Sequence, residues 1–171
     1  MTATDPFDVR DATDDDAPAI AAVHATAAHE LGGSAYDERQ VQAWISNVHP
    51  ERYPIGDPGF RVVVAERGDE VVGFGLLDLA PNGRDDGVGE ISAVYVHPDH
   101  AREGVGGAIM DALEGTARDA GLEALVLTAS RNAIGFYERQ GYEGVETVSL
   151  EMNQGVPLEC LRMRKRLEHG E

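Results

Sequence analysis

The sequence has 171 residues, about the length of one domain, and a formal net charge of −17 from 31 acidic and 14 basic side chains. A surface of this sign repels nucleic-acid phosphates and anionic membranes, so we do not expect nucleic acid as a partner. Because no window approaches the roughly 20 apolar residues of a membrane span, we predict a single soluble domain over residues 1–171.

The first third of the chain predicts one short strand followed by two helices. Residues 7–10 (FDVR) form the strand candidate, and residues 13–31 combine an acidic start with apolar side chains at helical spacing. A second helix is expected over residues 36–48. The prolines and glycines of residues 49–59 then interrupt regular structure.

The remainder of the chain predicts a mixed sheet. Two β-rich runs meet at Gly68 and Asp69, which is a hairpin signal. The later elements are a strand over 90–97, a helix from 105 to Gly121, a strand over 122–130, a short helix over 132–140 and two strands over 141–167. The strand–helix–strand passage from Glu90 to Thr128 requires a parallel pair, whereas the strands before it should be antiparallel.

The helix that begins at Val105 has three glycines at its start, Gly104, Gly106 and Gly107. A helix N-terminus has free N–H groups and about half a positive charge, so it binds anions where the backbone can approach closely. A turn needs one glycine, and each further helical glycine costs about 0.5–1 kcal/mol. The glycines therefore indicate a ligand, with close packing of the helix as the alternative. The run fits neither the dinucleotide fingerprint nor the nucleoside triphosphate loop, which requires a lysine.

The glycine run resembles motif A of the GNAT superfamily of N-acetyltransferases, in which a strand ending V-x-P precedes [R/Q]-x-x-G-x-[G/A] and a helix. The matching residues are Val96, Pro98, Gly104 and Gly106. Ala101 departs from the motif, because the family has Arg or Gln there. Residues 130–142 are similar to the family's second segment, N-x-x-A/G-x-x-F-Y-x-x-x-G-F, at Asn132, Tyr137, Gly141 and Tyr142. Both segments occur in the family's order, and the resemblance runs over nearly the whole chain.

The resemblance implies an α/β fold with a mixed, mostly antiparallel sheet, in which a splayed parallel strand pair is flanked by helices. Acetyl-CoA would lie where the strands at 90–96 and 122–128 separate, with its pantetheine amides on the backbone of Val94 and Val96. The residues implied to bind its pyrophosphate are Arg102, Glu103, Gly104, Val105, Gly106 and Gly107. Asn132 would orient the thiol end of the cofactor or only cap its helix.

The reaction implied by the resemblance is direct attack of a primary amine on acetyl-CoA in a ternary complex. Only about one part in 10³ of an alkyl amine is neutral at pH 7, so a base is needed. Glu90 matches the family's base position, although it could be an ordinary exposed carboxylate. Tyr137 matches the family's general acid, with a core tyrosine as the alternative. A non-catalytic acyl-CoA-binding regulatory module on the same fold is the rival function.

The acceptor amine, a small molecule or a peptide, is not identified by the sequence. By the resemblance its pocket lies between the first two helices and the hairpin, so Tyr36, Trp44 and Tyr53 are candidates, with core packing as the alternative. His97 and His100 flank the turn before the glycines, but we predict no metal site. Analogy with the family also implies a homodimer formed through the last strands.

The composition also bears on the cellular setting. Cys160 is the single cysteine, which excludes an internal disulfide and favours a reducing, cytoplasmic location. Self-repulsion at this net charge is screened when the Debye length falls to about 3 Å near 1 M salt. Because Lys165 is also the only lysine, we interpret the acidity as adaptation to a salty cytoplasm, with an ordinary acidic protein as the alternative.

Overall fold

The computed structural model describes residues 7–31, 37–40, 53–81, 87–100, 103–131, 133–151 and 157–167. The strands within these residues are β1 (Phe7–Asp11), β2 (Phe60–Arg67), β3 (Glu70–Asp78), β4 (Val88–Val96), β5 (Ala124–Ser130), β6 (Glu143–Glu151) and β7 (Pro157–Arg166). The longer helices are α1 (Ala17–Leu31), α2 (Val105–Asp119) and α3 (Ile134–Arg139).

The strands form one sheet in the order β1-β2-β3-β4-β5-β7-β6. Neighbouring strands are antiparallel except β4 and β5, which are parallel and joined by the crossover helix α2. The predicted mixed α/β fold with one parallel pair is therefore confirmed. The predicted hairpin is also present, and Gly68 occupies its turn with φ +61°.

Each face of the sheet is covered by a helix that buries its apolar side. Val105, Ile109, Leu113 and Ala117, the four positions predicted to share one face of α2, are at most 1% exposed. On the opposite face, Ile20 and Val23 of α1 pack against Val62, Val64 and Phe74. Burying each such side chain fully stabilises the fold by roughly 1.5–3 kcal/mol.

The helix α2 lies close to β3 because β3 carries glycine beneath it. A Cβ atom at Gly75 would lie 2.5 Å from Cγ2 of Ile109, and one at Gly73 would lie 3.1 Å from Cγ1 of Val105. Side chains at these two positions would push the helix away from the sheet. The start of α2, where the candidate ligand site lies, is thereby fixed relative to the strands.

The predicted second helix falls mostly outside the described residues. Residues 38–40 are helical, and Asp37 and Gln40 exchange hydrogen bonds between side chain and backbone, with N–O distances of 2.9 and 2.8 Å. This reciprocal pairing is a capping box, so a helix begins at the predicted place. Among the described helices, none is long and apolar enough to cross a membrane.

Candidate active site

The parallel strands β4 and β5 separate part-way along their length. Their ladder pairs Val88–Ile91 with Ala124–Leu127, and in the described part of the chain it ends there. Beyond that point β4 continues to Val96 alongside β3, and β5 continues to Ser130 alongside β7. The inner edges of the two strand ends therefore border a wedge-shaped gap, as the predicted splay requires.

A β-bulge accompanies the separation. Leu76 of β3 pairs with Ala93 while Leu77 pairs with Ile91, so Ser92 is the extra residue of β4. A bulge bends its strand and increases the local twist, which turns the end of β4 away from β5. After the bulge, Val94 and Val96 pack with the core on the α2 side of the sheet, whereas Tyr95 packs on the α1 side.

The chain turns sharply between β4 and α2, and we call residues 97–107 the elbow. His97 N donates to Val72 O (2.8 Å), and Gly104 takes the left-handed conformation with φ +84°. The first hydrogen bond of α2 runs from Ala108 N to Gly104 O (3.1 Å). The N–H groups of residues 105–107 therefore lie in the first turn, where a helix provides no acceptor for them. They are available to an anion.

The three glycines of the elbow differ in what requires them. Gly104 is required by its positive φ. A Cβ at Gly106 would lie 3.0 Å from the ring of Phe136, so this glycine lets α2 approach α3. A Cβ at Gly107 would make an ordinary contact with Nε2 of Gln140, at 3.6 Å. Close packing, the alternative to a ligand, thus accounts for Gly106 but not for Gly107.

Tyr137 lies on α3 and is only 7% exposed. Its ring is in edge contact with Phe136 and Tyr142, with centroid distances of 5.1 and 6.0 Å. Burial raises the pKa of its phenol above the ordinary value, so the hydroxyl keeps its proton at neutral pH. Because Phe136 also contacts Gly106, the structure brings the helix of Tyr137 against the elbow.

Glu90 lies beside the closed end of the gap, one residue before the last pair of the β4–β5 ladder. A Cβ at Gly89 would meet Leu122 and Leu125, and Ile91 packs in the same α2-side core. Since side chains alternate along a strand, Glu90 projects to the α1 side. Glu90 and Tyr137 therefore belong to opposite faces of the sheet.

The α1 side contains an aromatic cluster that includes the predicted acceptor-site residue Tyr53. The Tyr53 hydroxyl is hydrogen-bonded to Nδ1 of His24 (2.9 Å), whose ring lies 4.4 Å from that of Tyr95. Burial lowers the pKa of His24 to about 4 and raises that of Tyr53 to about 12. The sequence predicts no role for His24, although its i+4 spacing from Ile20 places it on the buried face of α1.

Of the remaining predicted site residues, Glu103 is the one that lies in the described part of the chain. Glu103 follows the 3₁₀ turn at 98–100, and its carboxylate forms an ion pair with Arg67, which lowers the pKa of Glu103. Arg67 was missed because 36 residues separate it from Glu103, and nothing in the sequence links the two. Four other predicted site residues lie outside the described part of the chain: Tyr36, Trp44, Arg102 and Asn132.

The two histidines of the elbow do not form a metal-ligand cluster with their neighbours. Asp99 N donates to Nδ1 of His97 (3.1 Å), so that nitrogen acts as an acceptor from the backbone. The His97 and His100 rings lie 6.0 Å apart, edge to face. Among the described residues, no three His, Cys, Asp or Glu side chains are grouped in a way that could hold a metal ion.

Comparison with known sequences finds acetyltransferases. Residues 24–142 match the model of the acetyltransferase (GNAT) family. The chain is 33% identical over 95 residues to the uncharacterized N-acetyltransferase YjcF of Bacillus subtilis, a match covering 56% of this chain and 64% of that protein. It is 32% identical over 91 residues to an IAA acetyltransferase of Azospirillum brasilense, covering 52% and 58%. The matches thus span less than two thirds of either curated relative.

Comparison with solved structures finds the same fold over nearly the whole chain. The GCN5-related N-acetyltransferase of Rhodopseudomonas palustris superposes with a TM-score of 0.82 at 28% identity, covering 98% of this chain and 99% of that one. The PaiA N-acetyltransferase of Thermoplasma acidophilum, solved in complex with coenzyme A, gives a TM-score of 0.76 at 14% identity, covering 95% and 99%. At that identity the second likeness concerns the fold alone.

Proposed function

This chain belongs to the acetyltransferase (GNAT) family, whose members use acetyl-CoA, and we propose that it transfers the acetyl group of acetyl-CoA to a primary amine. The observation that carries the proposal is the wedge-shaped gap between β4 and β5, which opens beside a helix start with available N–H groups. The gap suits an extended chain with amides, and the helix start suits a phosphate. Pantetheine and pyrophosphate occur in that arrangement in coenzyme A.

We propose that the donor binds with its pantetheine along the inner edge of β4, on backbone groups of Val94 and Val96. Its pyrophosphate would bind the N–H groups of the elbow from Arg102 to Gly107. Asn132, two residues before α3 in the sequence, is proposed to orient the thiol end. The close approach of Phe136 to Gly106 supports this assignment, because it brings α3, which follows Asn132 in the sequence, against the elbow.

The proposed chemistry needs a proton acceptor on the amine side and a proton donor on the thiol side. Glu90 takes a proton from the ammonium group, directly or through water, and the neutral amine attacks the thioester carbonyl. A C–N bond forms, the C–S bond breaks, and Tyr137 donates its proton to the leaving sulfur; the attacking nitrogen then loses its extra proton, through water, to the Tyr137 oxygen, and Glu90 releases the first proton to solvent. The placement of Glu90 and Tyr137 on opposite faces of the sheet supports these separate roles. No covalent enzyme intermediate is involved.

The rival proposal is a regulatory module that binds acyl-CoA without turnover. Ala101, in place of the family's Arg or Gln, is the residue that favours it. The presence of Tyr137 and Glu90 at the positions that match the family's acid and base favours the enzyme. The family relationship favours the enzyme as well.

The testing experiment is a calorimetric titration of acetyl-CoA into the purified protein in molar KCl, with ATP and free CoA as controls. We expect micromolar binding of acetyl-CoA that exceeds binding of ATP. A thiol-release assay over small amines, polyamines and peptides with free N-termini then identifies the acceptor class. Binding without release from any acceptor supports the regulatory module, and a folded protein that does not bind acetyl-CoA contradicts both proposals.

We also propose that the protein works in a reducing, salt-rich cytoplasm. Its single cysteine, Cys160, is 4% exposed and lies within β7. A homodimer through the last strands is part of the same proposal, and the exposed apolar side chains of Val145 and Leu150 on the outermost strand β6 support it. Size-exclusion chromatography with light scattering tests the dimer.

A further inference from the structure

An ion cluster lies behind the elbow, on the side of the β2 strand end. Arg67, the last residue of β2, forms an ion pair through Nη1 with Oε1 of Glu103. The same Nη1 lies 3.3 Å from Nδ1 of His100, which lies 3.4 Å from Oε1 of Glu103. The Arg67 side chain is 14% exposed and that of Glu103 is 31% exposed.

Arg67 is held from several directions. Its backbone pairs with Phe7 of β1 on one side and with Glu70 of β3 on the other. Its guanidinium carbon lies 5.7 Å from the centroid of the Phe7 ring, within range of a cation–π contact. The positive charge of Arg67 is therefore held in place by the sheet, whereas Glu103 belongs to the turn that precedes α2.

The position of Glu103 makes its charge important. It directly precedes Gly104, whose carbonyl accepts the first hydrogen bond of α2. An unpaired carboxylate there would repel a pyrophosphate bound at the helix start, because both groups are negatively charged and only the first residues of α2 separate them. Such repulsion would oppose the attraction between the phosphates and the partial positive charge of the helix start.

We propose that Arg67 is a positioning residue for the donor pyrophosphate: it neutralises the Glu103 carboxylate and holds it away from the N–H groups of the elbow. This inference rests on the proposed acetyl-CoA site. It adds a residue that belongs to neither segment of family resemblance and that acts through Glu103 without touching the cofactor.

The test measures dissociation constants for two donors, acetyl-CoA and S-acetylpantetheine, which lacks the pyrophosphate. We expect Arg67→Gln to weaken acetyl-CoA binding about tenfold and to leave S-acetylpantetheine binding within about twofold. The double variant Arg67→Gln with Glu103→Gln should recover most of the lost affinity, because the repelling charge is then absent. Arg67→Lys, which keeps the charge, should bind acetyl-CoA nearly as the unmodified protein does.

The matched control is Arg61→Gln, which removes the same charge from the other end of β2. Arg61 is ion-paired with Asp11 (2.8 Å) and donates to the carbonyl of Ala112 (3.1 Å), more than one turn along α2 from the end of the elbow. We expect its affinity for acetyl-CoA to stay within about twofold of the unmodified protein. Thermal unfolding of every variant checks folding, and Arg67→Met, which keeps a long unbranched apolar side chain, replaces Arg67→Gln if the latter does not fold.

Three results would overturn the proposal: unchanged acetyl-CoA affinity in Arg67→Gln, equal losses for both donors, or no recovery in the double variant. Equal losses would mean that Arg67 supports the fold generally. If the unmodified protein binds neither donor, the proposed function fails instead, so the two failures are distinguishable.

Discussion

Tyr137 is the residue whose substitution separates chemistry from binding most cleanly. Tyr137→Phe keeps the ring that packs on Phe136 and Tyr142 and removes only the hydroxyl. We expect turnover to fall about 100-fold, with little change in acetyl-CoA affinity, because the lost group acts only when the thiolate leaves. The measurement is steady-state kinetics alongside calorimetry, and undiminished turnover would make Tyr137 a core residue only.

The control for Tyr137 is Tyr142→Phe. The Tyr142 hydroxyl donates to Oε2 of the buried Glu114 (3.0 Å), and Oε1 of the same carboxylate accepts from Nζ of Lys165 (2.8 Å). Loss of that hydrogen bond should lower the free energy of unfolding by about 1–3 kcal/mol while turnover stays within about threefold. Removing the Tyr137 hydroxyl should therefore lower turnover, whereas removing the Tyr142 hydroxyl should lower the free energy of unfolding.

His24 makes stability depend on pH. Its pKa is about 4 in the folded protein against 6.5 for a free side chain. Between pH 6.5 and pH 4, His24 is therefore protonated in the unfolded chain but neutral in the folded chain. Its contribution to the free energy of unfolding is therefore intact above pH 7 and falls by on the order of 3 kcal/mol as the pH drops from 6.5 to 4.

Thermal or urea unfolding of the unmodified protein and of His24→Gln, over pH 4–8, measures this effect. The glutamine variant lacks the titrating group, so the unmodified protein should lose stability relative to this variant as the pH falls. A difference that is independent of pH would show that His24 does not titrate in this range.

At the scale of elements, the elbow glycines offer a matched pair. Gly104→Ala places a Cβ on a residue with φ +84° and should destabilise the fold by about 1 kcal/mol or more. Gly107→Ala meets only an ordinary contact, so its better helix propensity should stabilise the protein by up to about 1 kcal/mol. Thermal unfolding of both variants measures this, and equal destabilisation would contradict the described elbow geometry.

The sequence predicts the elements well where one periodicity dominates. The four-residue spacing from Val105 to Ala117 correctly identifies the buried face of α2, and Gly68 with Asp69 identifies the hairpin. The bulge at Ser92 could not be predicted, because a strand with apolar residues on both faces shows no break in pattern. The partnership of Arg67 with Glu103 was equally hidden, since ion pairs between distant segments depend on strand order. The role of Gly106 against Phe136 also required the packing of two helices.

At the scale of the whole molecule, the net charge of −17 leads to a prediction about salt. If the acidity is an adaptation to concentrated salt, screening of self-repulsion should raise the unfolding midpoint by about 5–10 °C between 0.1 and 2 M KCl. Scanning calorimetry at fixed pH measures this, with an equal osmolality of sucrose as the control. An unfolding midpoint that stays constant or falls as KCl is added would support the alternative, an ordinary acidic protein.

The gap between β4 and β5 also divides the sheet into two blocks, each continuous in the chain. The first contains β1 to β4 and the second β5 to β7, and four residue pairs of the parallel ladder form the seam between them. A donor that occupies the gap would extend this seam as a temporary extra strand. On the proposed function, acetyl-CoA would therefore help to hold the two blocks of the sheet together as well as act as a reactant. The two blocks would move most freely relative to each other after CoA is released and before the next acetyl-CoA binds.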